Sequence, residues 1–377
     1  MLRKKIIALF FCLPLMFFTA YASEATSEFD YDVQLEASGA DKLYDELPDE
    51  TEEYLKNSGI NSVNYNDFTN INAATVINSV LSIAQNEAKS PFAAAGFILG
   101  MLILASFIKG GEHTLNSPLA PTYSTVMSVA ISVTLIVPVI DLINEISGVV
   151  DSACTFTEAF GPVFIGILLA NGQTASAAGY SSFLFGAVEL TTICVGELII
   201  PMLKIFLALS CVCSISPCVK IDAFIGFFEK NAKWLLGFFA VILSGILGVS
   251  GVISASADNL SARTAKFIIS GSVPIVGGAV SDAYLSIKGG ITLLRNSVGA
   301  FGIIAVAYIY LPLIIRTLLW NLVLEMGLMV CEALELNNTN KLLKSVSGMV
   351  SLMLGLLIFS LFLLTLGSIV VIMQRSA

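Results

Sequence analysis

The sequence predicts an all-α polytopic membrane protein of about 8–10 transmembrane helices, each near the ~20 residues that a span requires. Three observations predict it. Of 377 residues, 56% are hydrophobic and only 12% are charged, against about 25% charged residues in soluble domains. Mean hydropathy is +0.86. Apolar runs suited to spans recur near 92–108, 122–142, 182–203, 203–218, 234–255, 298–316, 317–333 and 346–373. The net charge of −9 has one source, because residues 24–90 hold 14 acids, Glu24 through Glu87, against Lys42, Lys56 and Lys89. The remainder is nearly neutral and offers no basic footprint for direct nucleic-acid recognition.

The N-terminus reads as a signal peptide over residues 1–22. Arg3, Lys4 and Lys5 precede an apolar run from Ile6 to Phe18, and Ala20-Tyr21-Ala22 follows as a small-residue cleavage site. Residues 23–90 should then emerge outside the cytoplasm. Their first part, to residue 70, is too polar to order itself and reads as short helices or partly disordered chain. From 71 to 89, Ile71, Ala74, Ile77, Leu81 and Ala84 recur at helical spacing among polar residues, the pattern of an amphipathic helix on a membrane or a partner. Ser90 and Pro91 read as the cap and first residue of the next helix.

Residues 91–377 form the polytopic membrane domain. Two stretches, 155–175 and 266–287, are apolar but rich in Gly, Ser, Ala and Pro, and read either as crossings or as Pro/Gly-broken, re-entrant segments. Pro162-Val163-x-x-Gly166 and Pro274-Ile275-x-x-Gly278 are each followed by a second proline, Pro201 or Pro312. This spacing defines two candidate repeats, 122–218 and 234–333. If both ambiguous stretches cross, the repeats are parallel; if both re-enter, they are inverted. The distribution of Lys and Arg does not separate the two arrangements. The four bases between Arg263 and Arg295 favour the inverted one, in which discontinuous segments would frame a central site.

Charges within apolar runs cost at least ~2.5–3.5 kcal/mol at the bilayer centre and are read first for function. Glu189, Glu197 and Lys204 lie in one such region, the last two on one helical face, and Glu325 with Glu332 repeats the spacing. They read as an intramembrane polar pathway or, if they sit at interfaces, as solvated groups. Asp141, Glu145, Asp151 and Glu158 read as solvated acids of an extracytoplasmic loop. Cys211, Cys213 and Cys218 sit in an apolar run far from the sole histidine, His113, and are read as small hydrophobes with no metal. With no phosphate loop and no nucleophile elbow, neither a cofactor nor an enzymatic activity is expected.

The most distinctive stretch is Arg263-Thr264-Ala265-Lys266-Phe267, then Val273-Pro274-Ile275-Val276-Gly277 and Asp282-Ala283, with Asn296-Ser297-Val298-Gly299 downstream. Here the chain resembles the stage III sporulation protein AE family of endospore-forming Firmicutes, which is similar over nearly the whole length, including the signal peptide and the pattern of spans. The resemblance implies a component of the multiprotein channel, related to specialised secretion systems, that connects the mother cell to the engulfed forespore. It places the chain in the mother-cell (outer forespore) membrane, with the acidic segment in the intermembrane space. The implied partners are other proteins of the same sporulation operon, including ATPase-like and ring-forming members. Arg263, Lys266, Pro274 and Asp282, with Pro162 of the earlier repeat, are the candidate gating or structural residues. Independently of that resemblance, the repeat and the buried acids admit a second reading, a secondary transporter of a small solute or ion.

Overall fold

The computed structural model describes residues 30–69, 72–115, 120–215 and 277–373, with isolated helical positions between 226 and 260. Among the described residues all regular structure is helical: α1 (Tyr31–Ser38), a 3-10 turn (Ala40–Tyr44), α2 (Asp49–Asn57), α3 (Tyr65–Thr69), α4 (Ala73–Leu115), α5 (Ala120–Ala170), α6 (Thr174–Thr191), a π-helical segment (Thr192–Ile199), α7 (Ile200–Ile215), α8 (Gly277–Ala333) and α9 (Asn337–Met373). Five stretches are long and apolar enough to cross a membrane: Ala73–Phe107, Val129–Ala170, Thr174–Ser210, Ser286–Ala333 and Thr339–Met373. The chain is therefore an all-α polytopic membrane protein. The signal peptide, most of the run at 234–255 and the motif from Arg263 to Val276 lie outside the described residues.

Several expected boundaries are helix interiors. Pro91 lies inside α4, so Ser90 is not a cap and the amphipathic stretch continues into the first span. The stretch from residue 155 is unbroken helix as far as Ala170, since α5 runs through Pro138 and Pro162. The runs at 298–316 and 317–333 are one helix with Pro312 inside it, and those at 182–203 and 203–218 meet within α7, which continues from α6 through the π segment. A proline removes one backbone bond, and packing against neighbouring helices compensates for it where the surroundings are apolar. Asp141, Glu145, Asp151 and Glu158 thus lie on a helix and not in a loop.

The true breaks carry explicit chemistry. After α5, Gly172 has φ 73° and the amides of Gly172 and Gln173 bond back to Leu169 and Leu168, a left-handed helix end that glycine adopts without strain. Between α8 and α9, Glu335 takes the left-handed position at φ 54°. In the acidic segment, the Asp30 carboxylate caps α1 and Gly39, at φ 73°, ends it. Asp49, Glu50 and Glu52 fill the first turn of α2, where the helix dipole favours them.

Residues 30–69 are a packed lobe of short helices, the first of the two forms expected, and not partly disordered chain. Leu35, Leu43, Tyr44, Leu47, Leu55, Ile60, Val63 and Phe68 are buried in the same core as the long helices. The argument from size fails because the lobe does not fold on its own surface; it completes its core against α4, α5 and α8.

The body is organised by an aromatic column. Phe156, Phe160 and Phe164 recur every fourth residue on α5, with ring centroids 6.1 and 5.2 Å apart, and Tyr180 of α6 meets Phe164 edge-on at 5.1 Å. Phe301 of α8 lies 6.2 Å from Phe156 and 6.1 Å from Tyr44 of the lobe. Glycines let α8 and α9 approach these rings. A Cβ on Gly302 would lie 2.5 Å from the Phe160 ring, one on Gly299 2.6 Å from Ile372, and one on Gly367 2.7 Å from Phe183. Gly302→Ala is accordingly expected to lower stability by ~1–3 kcal/mol through overpacking. The detergent unfolding midpoint should fall, while Gly355→Ala, where an added Cβ meets nothing within 4 Å, should not lower it.

Candidate functional site

Three polar features interrupt the apolar body, and all involve α8 or the sequence leading to it. The first is the turn Asn171-Gly172-Gln173. The Asp258 carboxylate, 5% exposed, accepts the amides of Ala175 and Ser176, both at 2.9 Å. It supplies from a distance of 83 residues in sequence the N-terminal cap that α6 lacks locally, since Gln173 makes no side-chain cap bond. On the other side of the turn, the Arg295 guanidinium, 2% exposed, donates to Gln173 Oε1 at 3.0 Å and to Asn296 Oδ1 at 3.0 and 3.2 Å. Asn171 Nδ2 donates to Thr292 Oγ1 at 3.3 Å. Asp258 and Arg295, 37 positions apart in sequence, therefore meet at the α5–α6 corner.

The second feature is a three-helix bridge. Arg316 of α8 pairs through Nε with Glu87 of α4 and through a terminal nitrogen with Glu145 of α5. The Glu87 side chain is 9% exposed and that of Glu145 40%. Sequence reasoning missed this constellation. Glu87 reads as the polar side of an amphipathic helix and Glu145 as a solvated loop acid. Their separations from Arg316 of 229 and 171 residues leave no local pattern; the available signal was an arginine between two strongly apolar runs, which must find a counter-charge.

The third is the seat of the acidic lobe. Tyr31 Oη hydrogen-bonds Ser297, Ser58 Oγ and Tyr308 Oη are 2.7 Å apart, and Ser79 of α4 donates to the Tyr54 carbonyl at 3.3 Å. Tyr44 Oη donates to the Ile60 carbonyl at 3.0 Å while its ring lies against Phe301. Burial, reinforced by Glu52 and then Asp67, pushes the Tyr44 hydroxyl up from 10.0 to about 12. The lobe also ties its own loop: Asp67 accepts the amides of Asn61 and Ser62 and the Ser62 hydroxyl.

The residues singled out from sequence are placed as follows. Glu189 lies on α6, Glu197 in the π segment and Lys204 on α7, all on exposed faces; among the described residues no ion pair joins Glu197 to Lys204. Glu325 is exposed on α8. Pro162 is exposed within α5. Arg263, Lys266 and Pro274 fall outside the described residues, and Asp282 is described only as part of the α8 backbone. Cys154, Cys194 and Cys331 are free and buried, and among the described residues no group of His, Cys, Asp and Glu could hold a metal ion. The arrangement is one of helix ends fixed by remote side chains and of a docked polar lobe.

Two outcomes check this geometry. Arg316→Gln is expected to cost ~1.5–3 kcal/mol, because it leaves the nearly buried Glu87 without its charge partner. Glu145→Gln should cost less, since Glu145 is partly solvated; unfolding midpoints of the two variants in detergent give the order. For Tyr44, a raised folded-state pKa means that the stability is complete below pH 10 and is lost as pH rises toward 12. Release of the lobe, followed by its susceptibility to protease, should show that alkaline transition, and Tyr44→Phe should move it upward.

Comparison with known proteins agrees with the motif. A family model described as stage III sporulation protein AE matches residues 59–376. A curated relative from Bacillus subtilis (strain 168), named stage III sporulation protein AE, is 26% identical over 217 residues, which are 56% of this chain and 54% of the relative. The match thus spans about half the length of that relative. No solved structure matches.

Proposed function

The chain belongs to the stage III sporulation protein AE family, and from that membership we propose that it is an integral membrane part of a channel or export complex linking mother cell and forespore, needed for forespore development after engulfment. In this reading it sits in the mother-cell membrane around the forespore with the lobe of residues 30–69 facing the intermembrane space. Its partners are other proteins of the same sporulation operon, ATPase-like and ring-forming members among them.

The observation that carries the reading is the docked lobe. A strongly acidic, water-facing surface is held against α8 by Tyr31, Tyr44 and Ser58 instead of hanging on a free tether. A fixed polar platform on a membrane body is what a stacked multiprotein assembly needs, since a rigid surface loses less conformational freedom on binding than a loose arm. The alternative, a secondary transporter, needs charged groups gathered around an enclosed central site. Glu189, Glu197, Lys204 and Glu325 are on exposed faces instead.

The test is genetic and biochemical. A chain with Tyr31, Tyr44 and Ser58 replaced by Ala, made at normal level, is expected to arrest sporulation after engulfment and to lose cross-links to the ring-forming proteins. The purified native chain in liposomes is expected to give no ion-coupled solute flux by itself. Flux from the chain alone would instead support the transporter.

A further inference from the structure

The helices are too long for the membrane they cross. α5 has 51 residues and α8 has 57, about 76 and 85 Å at the α-helical rise, against a hydrocarbon core of ~30 Å. We infer that the bilayer surrounds only one half of the helical body, with its boundary at the Arg316–Glu87–Glu145 bridge, and that the other half stands in water on the side of the acidic lobe.

The outward faces of two helices change character at that bridge. On α4 the exposed residues before it include Asn78, Gln85 and Asn86, with Ile77 and Leu81 as apolar exceptions; Lys89 follows just past it, and beyond that come Phe92, Phe97, Leu104 and Phe107. On α5, running the opposite way, the exposed residues are Val126, Val133, Val137 and Ile140 before the bridge. Asp141 and Asn144 come just short of it and Asp151, Thr155 and Glu158 after it, with Leu169 as an apolar exception. Glu87 stands five residues before Phe92 and Glu145 five after Ile140, so both switches fall at one level. On α8 the exposed apolar residues Leu322, Met326 and Met329 lie on the belt side of Arg316, and Ser297, Phe301 and Tyr308, which seat the lobe, lie on the other.

The belt defined by Phe92–Phe107 and Val126–Ile140 is ~21–22 Å high by helical rise, a shortfall that flanking side chains and local thinning of the bilayer absorb. Exposed Glu332 and Lys341 at the α8–α9 turn mark its far rim, and Glu325 remains within it. The lobe settles the other half independently. Its exposed acids cannot lie beside acyl chains, yet it covers α8 from Ser297 to Tyr308, residues inside a candidate span. The apolarity of α9 at that height needs no lipid, because Phe359, Leu361, Leu363 and Leu364 are buried by protein.

The placement also removes the cost of three charges. α6 runs antiparallel to α5, with Gly161 facing Leu184 and Cys154 facing Thr192. Glu189 and Glu197 therefore fall on the watery side of the bridge, with the exposed Phe185, Ile193 and Leu198 as apolar exceptions there, and Lys204 at its level. None then has to stand in hydrocarbon at ~2.5–3.5 kcal/mol or more.

The occupant of the belt is lipid acyl chain, and the test reads contact with it directly. Single cysteines at Asp41, Phe97, Val133, Thr155 and Glu158 are introduced into the cysteine-free full-length chain. They are labelled with an environment-sensitive fluorophore in vesicles of phosphatidylethanolamine and phosphatidylglycerol, then quenched by iodide or by nitroxide-bearing lipid. Labels at 155 and 158 are expected to match Asp41, with several-fold stronger iodide quenching than labels at 97 and 133, which nitroxide lipid should quench instead. Nitroxide quenching of 155 and 158 to the level of 133 overturns the inference. So does shielding of 97 and 133 from the lipid quencher, which would mean that another protein surface covers the belt. Independently of any substitution, images of the unaltered chain in lipid nanodiscs should show density standing ~30 Å or more beyond one face; density flush with both faces overturns it. Neither readout depends on sporulation, so the role proposed above stands or falls separately.

Discussion

The close approach of α8 to the phenylalanine stripe of α5 is the contact on which the remaining structure depends. Gly299 and Gly302 leave a flat strip on α8 into which the Phe160 and Phe164 rings and Ile372 press. Larger residues there would push the two longest helices apart. With them would go Phe301, and with Phe301 the aromatic shelf that receives Tyr44 of the lobe. Small residues work here as they do in helix pairs generally within membranes, where packing rather than hydrophobic transfer drives association. The difference is that aromatic rings, not a second glycine face, fill the space.

Once α8 is fixed, the polar groups fall into place as fasteners at its two levels. Near its beginning, Arg295 and Thr292 hold the α5–α6 corner, while Asp258 caps α6 from outside the local sequence. At its middle, Arg316 draws α4 and α5 together. Each is a buried or half-buried group that would be costly alone and is tolerable because its partners are supplied by other helices. The charge distribution thereby serves geometry, and the acids with no such task remain on outer faces.

Much of the architecture was legible in the sequence for physical reasons. Hydropathy identified the membrane body because burying backbone in lipid demands long apolar helices, and the clustering of acids between Glu24 and Glu87 identified the lobe. The Arg263–Gly299 motif identified the family. What could not be read was continuity: Pro91, Pro162 and Pro312 are ordinary stop signals in soluble proteins, and only tertiary packing tells a helix to run through them. The π segment at Thr192–Ile199 has no sequence signature either. Nor did composition reveal that the lobe folds, because Tyr44 finds its aromatic partner, Phe301, 257 positions later. The bridge of Glu87, Glu145 and Arg316 failed for the same reason, each member being plausible as an isolated surface charge.

The remote cap on α6 has a consequence in the order of synthesis. The first turn of that helix is completed by a carboxylate that leaves the ribosome 82 and 83 residues later. The lobe waits longer still, since Ser58 finds Tyr308 across 250 residues and Tyr31 finds Ser297 across 266. Local helices can form as they emerge, but the corner and the lobe close only when most of the chain exists. A chain that stops short of Tyr308 therefore lacks the full seat of its acidic lobe, and the seated lobe is a structural signature that synthesis has passed the middle of α8.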